Sequence, residues 1–435
     1  MNVLLIQPRV NAEPSYPLAL ANMIPLLEGA GHTVEGMDLM FVAEEEVLRR
    51  IQSGNVDWVG ATVLHHNSEE VARWMRPLKE NRAIKTFVAG ALPTLDPLSA
   101  LAHTGADFAI VGPPEETVAD LVDAKNPKLV SGVVHAGRPT PIPRVHAPLT
   151  LLPLPDRRVF HVEQYSYAMR SMATPYTQVF TSRGCMHQCP YCPTPALRPD
   201  GFDARTADQV VREWSLLVNK HGIKSIHVED DNFMEDPQRI REICDRLDEQ
   251  NLDIQWELVN GIRVDQADPR LLKRMAEAGC TRIVFSFEHI HYGASPPVGY
   301  SWKRAQKAVE NAHQLDLRVG GYFIVGLPGI SLQETIASIR MGLQLKLHDA
   351  NWVPFYETPG SGYAGAASTI DATSISKRVA VQLAKVAHLA FFTKPRSFAR
   401  LTSEMMSTPA TLPSLARKAL ELLHAGGPVP MRDTP

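Results

Sequence analysis

The sequence predicts an α/β protein: an N-terminal doubly wound parallel sheet, then a partial (β/α)6 barrel of the TIM type, then a small helical C-terminal region. Three observations predict it. Short apolar runs alternate with helical periodicity over residues 1–125. A proline-rich, aperiodic stretch follows over 126–170, which reads as a linker. The alternation resumes over 171–365 with about six β/α units, fewer than the eight of a closed barrel. Residues 366–435 read as helical with an irregular, proline-bearing tail.

The elements follow in order. "NVLLIQP" (2–8) is an apolar strand stopped by a proline, and "YPLALANMIPLLEGAGH" (16–32) is a helix ending in glycines. "TVEGMD", "VDWVGATVL", "KTFVAGALPT" and "DFAIV" are further strands. "EEEVLRRIQSG", "SEEVARWMRPLKE" and "EETVADLVDA" are helices, the second with Ser68 as its expected N-cap. The stretch "GRPTPIPRVHAPLTLLPLPD" holds six prolines. Beyond it come the strands "YTQVFTSRGC", "KSIHVEDDNF", "DIQWELVNGIRVD", "TRIVFSFEH", "RVGGYFIVGLPG" and "DANWVPFYETPG", with helical segments between them.

Composition excludes several classes. Hydrophobic residues make up 44% of the 435-residue chain and charged residues 21%, as in an ordinary globular protein. A net charge of −3 gives no electrostatic footprint for nucleic acid, and no basic run suits an anionic membrane. "MNVLLIQPRV" lacks the features of a signal peptide, and no apolar stretch is long enough to span a bilayer. Five cysteines, three of them clustered, make no disulfide framework, so the expected setting is a reducing cytoplasm.

The cluster is "GCMHQCPYC" (184–192), with Cys185, Cys189 and Cys192 in C-x3-C-x2-C spacing. A zinc site wants four ligands, often as two separated pairs, and only His187 inside the loop stands near as a fourth. Three thiolates on an iron–sulfur cubane would leave one iron open to a small molecule. The loop also follows a strand at the carboxyl end, where barrel enzymes keep their chemistry. Chance cysteines usually hide in cores, and this loop is polar. Cys244, in a helix, and Cys280, at a helix end, read as structural.

On these residues the segment resembles the radical S-adenosylmethionine (SAM) superfamily, whose signature places an aromatic residue, here Tyr191, before the last cysteine. The resemblance implies a 4Fe–4S cluster on Cys185, Cys189 and Cys192. SAM would chelate the open iron and be cleaved reductively to a 5′-deoxyadenosyl radical. At the strand ends, Glu229 and Asp230 in "VEDDNF" would accept hydrogen bonds from the SAM ammonium, whereas Asp231 reads as part of a capping turn. Arg263 in "NGIRVD" would grip the SAM carboxylate with two parallel bonds, although its spacing equally suits a surface ion pair. Glu288 in "FSFEH" is a carboxylate among apolar residues that needs a partner, such as the SAM amine or ribose. "GGYFIVGLPG" resembles the superfamily's glycine-bearing fifth strand near adenine, with Gly326 and Pro328 in its turn; a plain turn is compatible. Tyr322, an aromatic strand residue, is the catalytic candidate, although such residues more often pack in cores.

The N-terminal loops at strand carboxyl ends are "QPR", "TVLHHN", "AGALPT" and "VGPPEET". No G-x-G-x-x-G follows the first strand and there is no Walker A sequence. "YPLALA", "AGHTVEGMD" and "GALPT" resemble the Rossmann-like cobalamin-binding domain that precedes many radical SAM cores. The resemblance implies corrin contacts from Gln7, Thr62, Val63, Leu64, His65, Gly90, Ala91, Leu92, Pro93, Gly112 and Glu115. The D-x-H-x-x-G motif with its cobalt-binding histidine is absent, which implies base-off cobalamin with water or nothing on the lower face.

Together the resemblances imply a cobalamin-dependent radical SAM methyltransferase. It would move a methyl group from SAM via methylcobalamin to an unactivated carbon of a small-molecule or peptide substrate. An external donor such as flavodoxin or ferredoxin would supply electrons. The last 70 residues would cap the barrel. Two alternatives stand: a non-methylating rearrangement or cyclisation, and a non-enzymatic corrinoid-binding iron–sulfur protein.

Overall fold

The computed structural model describes residues 1–9, 15–80, 83–165, 173–291, 299–363, 375–395 and 397. The chain divides into two compact units, Met1–Ser166 with Ala196–Ala204, and Tyr167–Pro195 with the residues from Arg205 onward.

In the first unit, five apolar runs form parallel strands: β1 (Asn2–Gln7), β2 (Thr33–Asp38), β3 (Trp58–Thr62), β4 (Lys85–Ala89) and β5 (Phe108–Ile110). Their spatial order is β2-β1-β3-β4-β5, followed by β6 (Val133–Val134) antiparallel to β5. The order reverses beside β1, so this is a doubly wound sheet with its switch point between β1 and β3. Right-handed crossovers then put helices on both faces. Accordingly α1 (Leu18–Gly29) packs on α6 (Glu115–Asp123), and α2 (Glu44–Gln52) and α5 (Pro97–Thr104) pack on α3 (Ser68–Met75). The short α4 (Ala91–Leu95) follows β4 directly. Ser68 does not cap α3; it is the helix's first residue, and its hydroxyl donates to the His65 carbonyl at 3.0 Å.

Residues 126–165 pack on this unit rather than standing apart. Besides the strand at Val133–Val134, the Tyr165 hydroxyl donates to buried Asp38 at 2.6 Å and Tyr16 donates to the Asp156 carbonyl at 2.7 Å. Two valines without periodic context carry no strand signal, so β6 was invisible in the proline-rich sequence.

The second unit is built on six parallel strands: β7 (Tyr176–Val179), β8 (Ser225–Val228), β9 (Gln255–Arg263), β10 (Cys280–Glu288), β11 (Arg318–Val325) and β12 (Asp349–Pro354). They neighbour one another in chain order. β7 and β12 are the two ends, as in an open barrel. The connecting helices start at well-defined caps. Thr206 and Gln209 form a capping box at α7 (Ala207–His221), and Asp236 and Asp268 cap α8 (Pro237–Glu249) and α9 (Pro269–Glu277), each with a proline at the first helical position. Then come α10 (Trp302–His313), α11 (Leu332–Gln344) and α12 (Lys377–Phe392). Trp214, Trp256, Phe285, Phe287, Phe323 and Trp352 are fully buried in one core. Phe323 stacks between Phe287 and Trp352 at 5.2 and 5.0 Å. Trp352 is thereby core packing. The C-terminal helical reading holds at α12, and residues 398–435 lie outside the described residues.

Candidate functional site

The cysteine loop leaves the end of β7 and is fixed by carboxylates from the end of β8. Asp230 is fully buried and accepts from Thr181 N at 2.6 Å, Thr181 Oγ1 at 2.5 Å and Ser182 Oγ at 2.5 Å. Burial pushes its pKa up, opposed by Arg239 and by those hydrogen bonds. Arg239 in turn donates to the carbonyls of Thr181 at 2.8 Å and Arg205 at 2.7 Å. Asp231 accepts from Gly184 N at 2.7 Å. Two adjacent carboxylates thus set where the thiol loop begins. Asp230 does not line the cavity below, and the role expected for it toward an ammonium group is taken by its own chain. Glu229 is likewise buried, accepting from Gln178 Nε2 at 3.2 Å.

The three thiols are half-buried and free. Asn232 Nδ2 donates to Cys185 Sγ at 3.6 Å, and the Cys185 thiol donates to Glu235 Oε2 at 3.7 Å. Asn232 also bonds Glu235. Burial pushes Cys185 up to about 11 and raises Cys192 as well, while Asn232 and Thr194 pull them down. Thiols so placed stay protonated until a metal takes the thiolate. Cys192 N bonds the Cys189 carbonyl at 3.0 Å in the turn between them. Among the described residues no three His, Cys, Asp or Glu side chains converge on a single-ion site. A cubane asks for something else, because it spreads three thiolates over three irons. A loop offering three sulfurs from eight residues, with no fourth ligand converging on them among the described residues, fits that group.

Beside the loop is a cavity of about 240 Å³, lined by Cys189, Tyr191, Arg263, Glu288 and Tyr300, among others. Glu288 ends β10 at φ +50°, where the register with β11 slips by one residue. This turn aims a buried carboxylate inward. Burial pushes it up to about 7, against hydrogen bonds from Tyr191 and Ser286 and the charge of Arg263. At the end of β9, Arg263 gives its Nε and Nη2 edge to Asp265, at 2.9 and 2.7 Å. Its Nη1 donates to Cys189 Sγ at 3.7 Å. Tyr300 lies under the guanidinium, 5.9 Å from its ring centre, and donates to Asp265 at 3.2 Å. The fork expected to grip a carboxylate ligand is therefore closed on Asp265.

Tyr322 does not line this cavity. Its hydroxyl donates to the Val259 carbonyl at 2.8 Å, tying β11 to β9. Gly326 sits at φ +85° after β11, and a Cβ there would come within 3.0 Å of Ala380 Cβ, so the glycine is needed for the turn and the packing of α12. Pro328 is half-buried in the same turn. Asn232, Glu235, Asp265 and Tyr300 carried no motif that would have singled them out.

In the first unit the expected loops are brought to one end of the sheet and tied in a row. Thr62 Oγ1 donates to Gln7 Oε1 at 3.0 Å across β1 and β3, the switch point. Val63 N bonds the Ala89 carbonyl at 2.7 Å, and Leu92 N bonds the Val63 carbonyl at 3.2 Å. Thr94 Oγ1 bonds the Gly90 carbonyl at 2.8 Å and accepts from Gly112 N at 3.1 Å. Leu64 N is held by Asn67 at 2.9 Å. His65 is exposed, Ala91 half-buried, and Leu92, Pro93 and Glu115 buried. Gly90 (φ +110°) and Gly112 (φ +82°) leave space that a Cβ would fill, 3.1 Å from the Val63 carbonyl and from His146 respectively. Such a cradle fits a large planar cofactor's edge or tail at the carboxyl ends of the strands.

Two family models match the chain in these places: the radical SAM superfamily over residues 179–342 and the B12 binding domain over residues 12–122. An uncharacterized methyltransferase of Pyrococcus horikoshii is 25% identical over 390 residues, covering 83% of this chain and 82% of its own. Cytidylyl-2-hydroxyethylphosphonate methyltransferase of Streptomyces wedmorensis is 22% identical over 391 residues, covering 74% and 72%. The radical SAM methyltransferase TsrM from Kitasatospora setae, solved with cobalamin and a 4Fe–4S cluster, has the same fold. Its TM-score is 0.68 at 19% identity, over 85% of this chain and 78% of that one. Fold and thiol loop together define a radical SAM enzyme. The chain carries a radical SAM domain and a B12 binding domain, and the cofactors of these domains are a 4Fe–4S cluster, SAM and cobalamin. Among the described residues no helix is long and apolar enough to cross a membrane.

Proposed function

We propose that the enzyme moves a methyl group from SAM, by way of cobalamin, to an unactivated carbon of a small-molecule or peptide substrate, with electrons from an external flavodoxin- or ferredoxin-type donor. The observation that carries this reading is the three-thiol loop opening on a cavity walled by Tyr191, Arg263 and Glu288, in a chain that also carries the B12 binding domain. The relatives named as methyltransferases support methyl transfer over rearrangement.

When bound, the cluster and SAM supply an adenosyl radical and the corrinoid supplies a methyl carrier. The chain's own work is placement. Cys185, Cys189 and Cys192 would hold the cluster, and Asp230 and Asp231 fix the loop that presents them. Glu288, poised near neutrality by burial, offers the cavity a carboxyl that can accept from an amine or hydroxyl. Tyr191 holds that carboxyl through its hydroxyl. The row from Gln7 to Gly112 would hold the corrin.

The test is mass spectrometry with methyl-labelled SAM and candidate small-molecule and peptide substrates. Label in the product, with S-adenosylhomocysteine and deoxyadenosine both formed, is the expected result. Deoxyadenosine with an unlabelled, rearranged product would replace methyl transfer with rearrangement.

A further inference from the structure

We infer that Arg263 donates a charged N–H to the sulfur of Cys189 and thereby sets the reduction potential of the cluster that Cys189 holds. This rests on the three thiols being the cluster's ligands. The guanidinium has one edge locked bidentately on Asp265, at 2.9 and 2.7 Å, which leaves Nη1 directed at Cys189 Sγ, 3.7 Å away. Tyr300 closes the arrangement from below, with its ring under the guanidinium and its hydroxyl on the same Asp265 oxygen that Nε contacts. An arginine held on three sides cannot swing to a ligand without giving up Asp265. Nη1, the nitrogen not engaged by Asp265, is the one turned toward the sulfur.

A hydrogen bond to a cluster sulfur, and a positive charge beside it, favour the state with the extra electron. Asp265 and Tyr300 are positioning residues here: they aim the donor and touch no sulfur. Radical SAM chemistry begins with reduction of the cluster, so a donor at Cys189 eases the first electron's entry.

The experiment is an EPR-monitored redox titration of the anaerobically reconstituted full chain, beside Arg263→Gln and Arg263→Lys. The Gln variant loses the charge, and its oxidised-to-reduced ratio at the native midpoint should rise about tenfold, a fall of about 59 mV for a one-electron couple. The Lys variant keeps the charge but loses the fork that Asp265 aligns, and the ratio should rise about threefold. A merely structural Arg263 would change iron content or thermal stability and leave the midpoint alone. Either variant carrying four irons with the native midpoint overturns the inference. A native chain that takes up no four-iron cluster overturns the cluster reading itself, and the inference with it.

Discussion

Thr181 and Asp230 are joined twice, through the Thr181 amide at 2.6 Å and its hydroxyl at 2.5 Å. The pair ties the end of β8 to the turn that launches the thiol loop. Asp230→Leu would leave Thr181 N, Thr181 Oγ1 and Ser182 Oγ without their acceptor and would take from buried Arg239 the stronger of its two acidic neighbours, Asp230 and Asp236. Breaking a buried charged network this way costs about 3–5 kcal/mol. The expected outcome is a lower urea midpoint and less than four irons per chain after reconstitution. Native values of both would show that the loop is positioned by something else.

Cys189→Ala should abolish deoxyadenosine and S-adenosylhomocysteine formation together. The variant should still bind hydroxocobalamin, because the loops proposed to hold the corrin run from Gln7 to Gly112, apart from the thiol loop in sequence. Loss of iron absorbance with retained corrin absorbance is the signature to look for. Deoxyadenosine from this variant would mean the cluster is held elsewhere.

Asp38 gives the first unit a pH dependence. Burial pushes its carboxyl up to about 6, against hydrogen bonds from Tyr165 and Met40 N. The ordinary value of 3.8 applies in the unfolded chain. The folded state therefore holds the proton more tightly. The stability this contributes is complete below about pH 4 and is lost as pH rises through about 6. A shift of about two units corresponds to about 3 kcal/mol. Urea unfolding of the native chain and Asp38→Asn, followed from pH 4 to 8, should show that difference emerging between pH 4 and 6 and staying flat above. Parallel curves across the range would refute it.

The sequence was readable where chemistry is local. Six apolar runs with helices between them gave the open barrel strand for strand, and C-x3-C-x2-C gave the thiols, because ligand spacing on one loop is a local property. It misled where partners are distant. Asp230 looked like a ligand group because its acceptor role toward residues 181 and 182 is visible only once β7 and β8 are side by side. Arg263 looked like a carboxylate grip because Asp265, two residues on, turns back only at the end of β9. Tyr322 reads as a catalytic candidate until its hydroxyl is seen on the Val259 carbonyl of β9, two strands away across the sheet. Glu235 reached Cys185 across fifty residues with no motif to announce it.

Gly90→Val should separate the two cofactor systems. Gly90 has φ +110° and ψ −162°, a region essentially closed to side chains. A Cβ would lie 3.1 Å from the Val63 carbonyl and 3.3 Å from its amide, both backbone atoms that cannot give way without moving the end of β3. The strain also propagates along the strand ends. The Gly90 carbonyl accepts from Thr94 Oγ1, and that hydroxyl accepts from Gly112 N. Displacing Gly90 therefore disturbs the Gly112 loop as well. The backbone term alone is on the order of 1–3 kcal/mol, so hydroxocobalamin binding, followed by absorbance titration, should weaken at least tenfold. Iron content should stay at four, since the cysteine loop is anchored by Asp230 and Asp231 in the other unit. Native corrin affinity in this variant would show that the Gly90 turn is not part of the cradle.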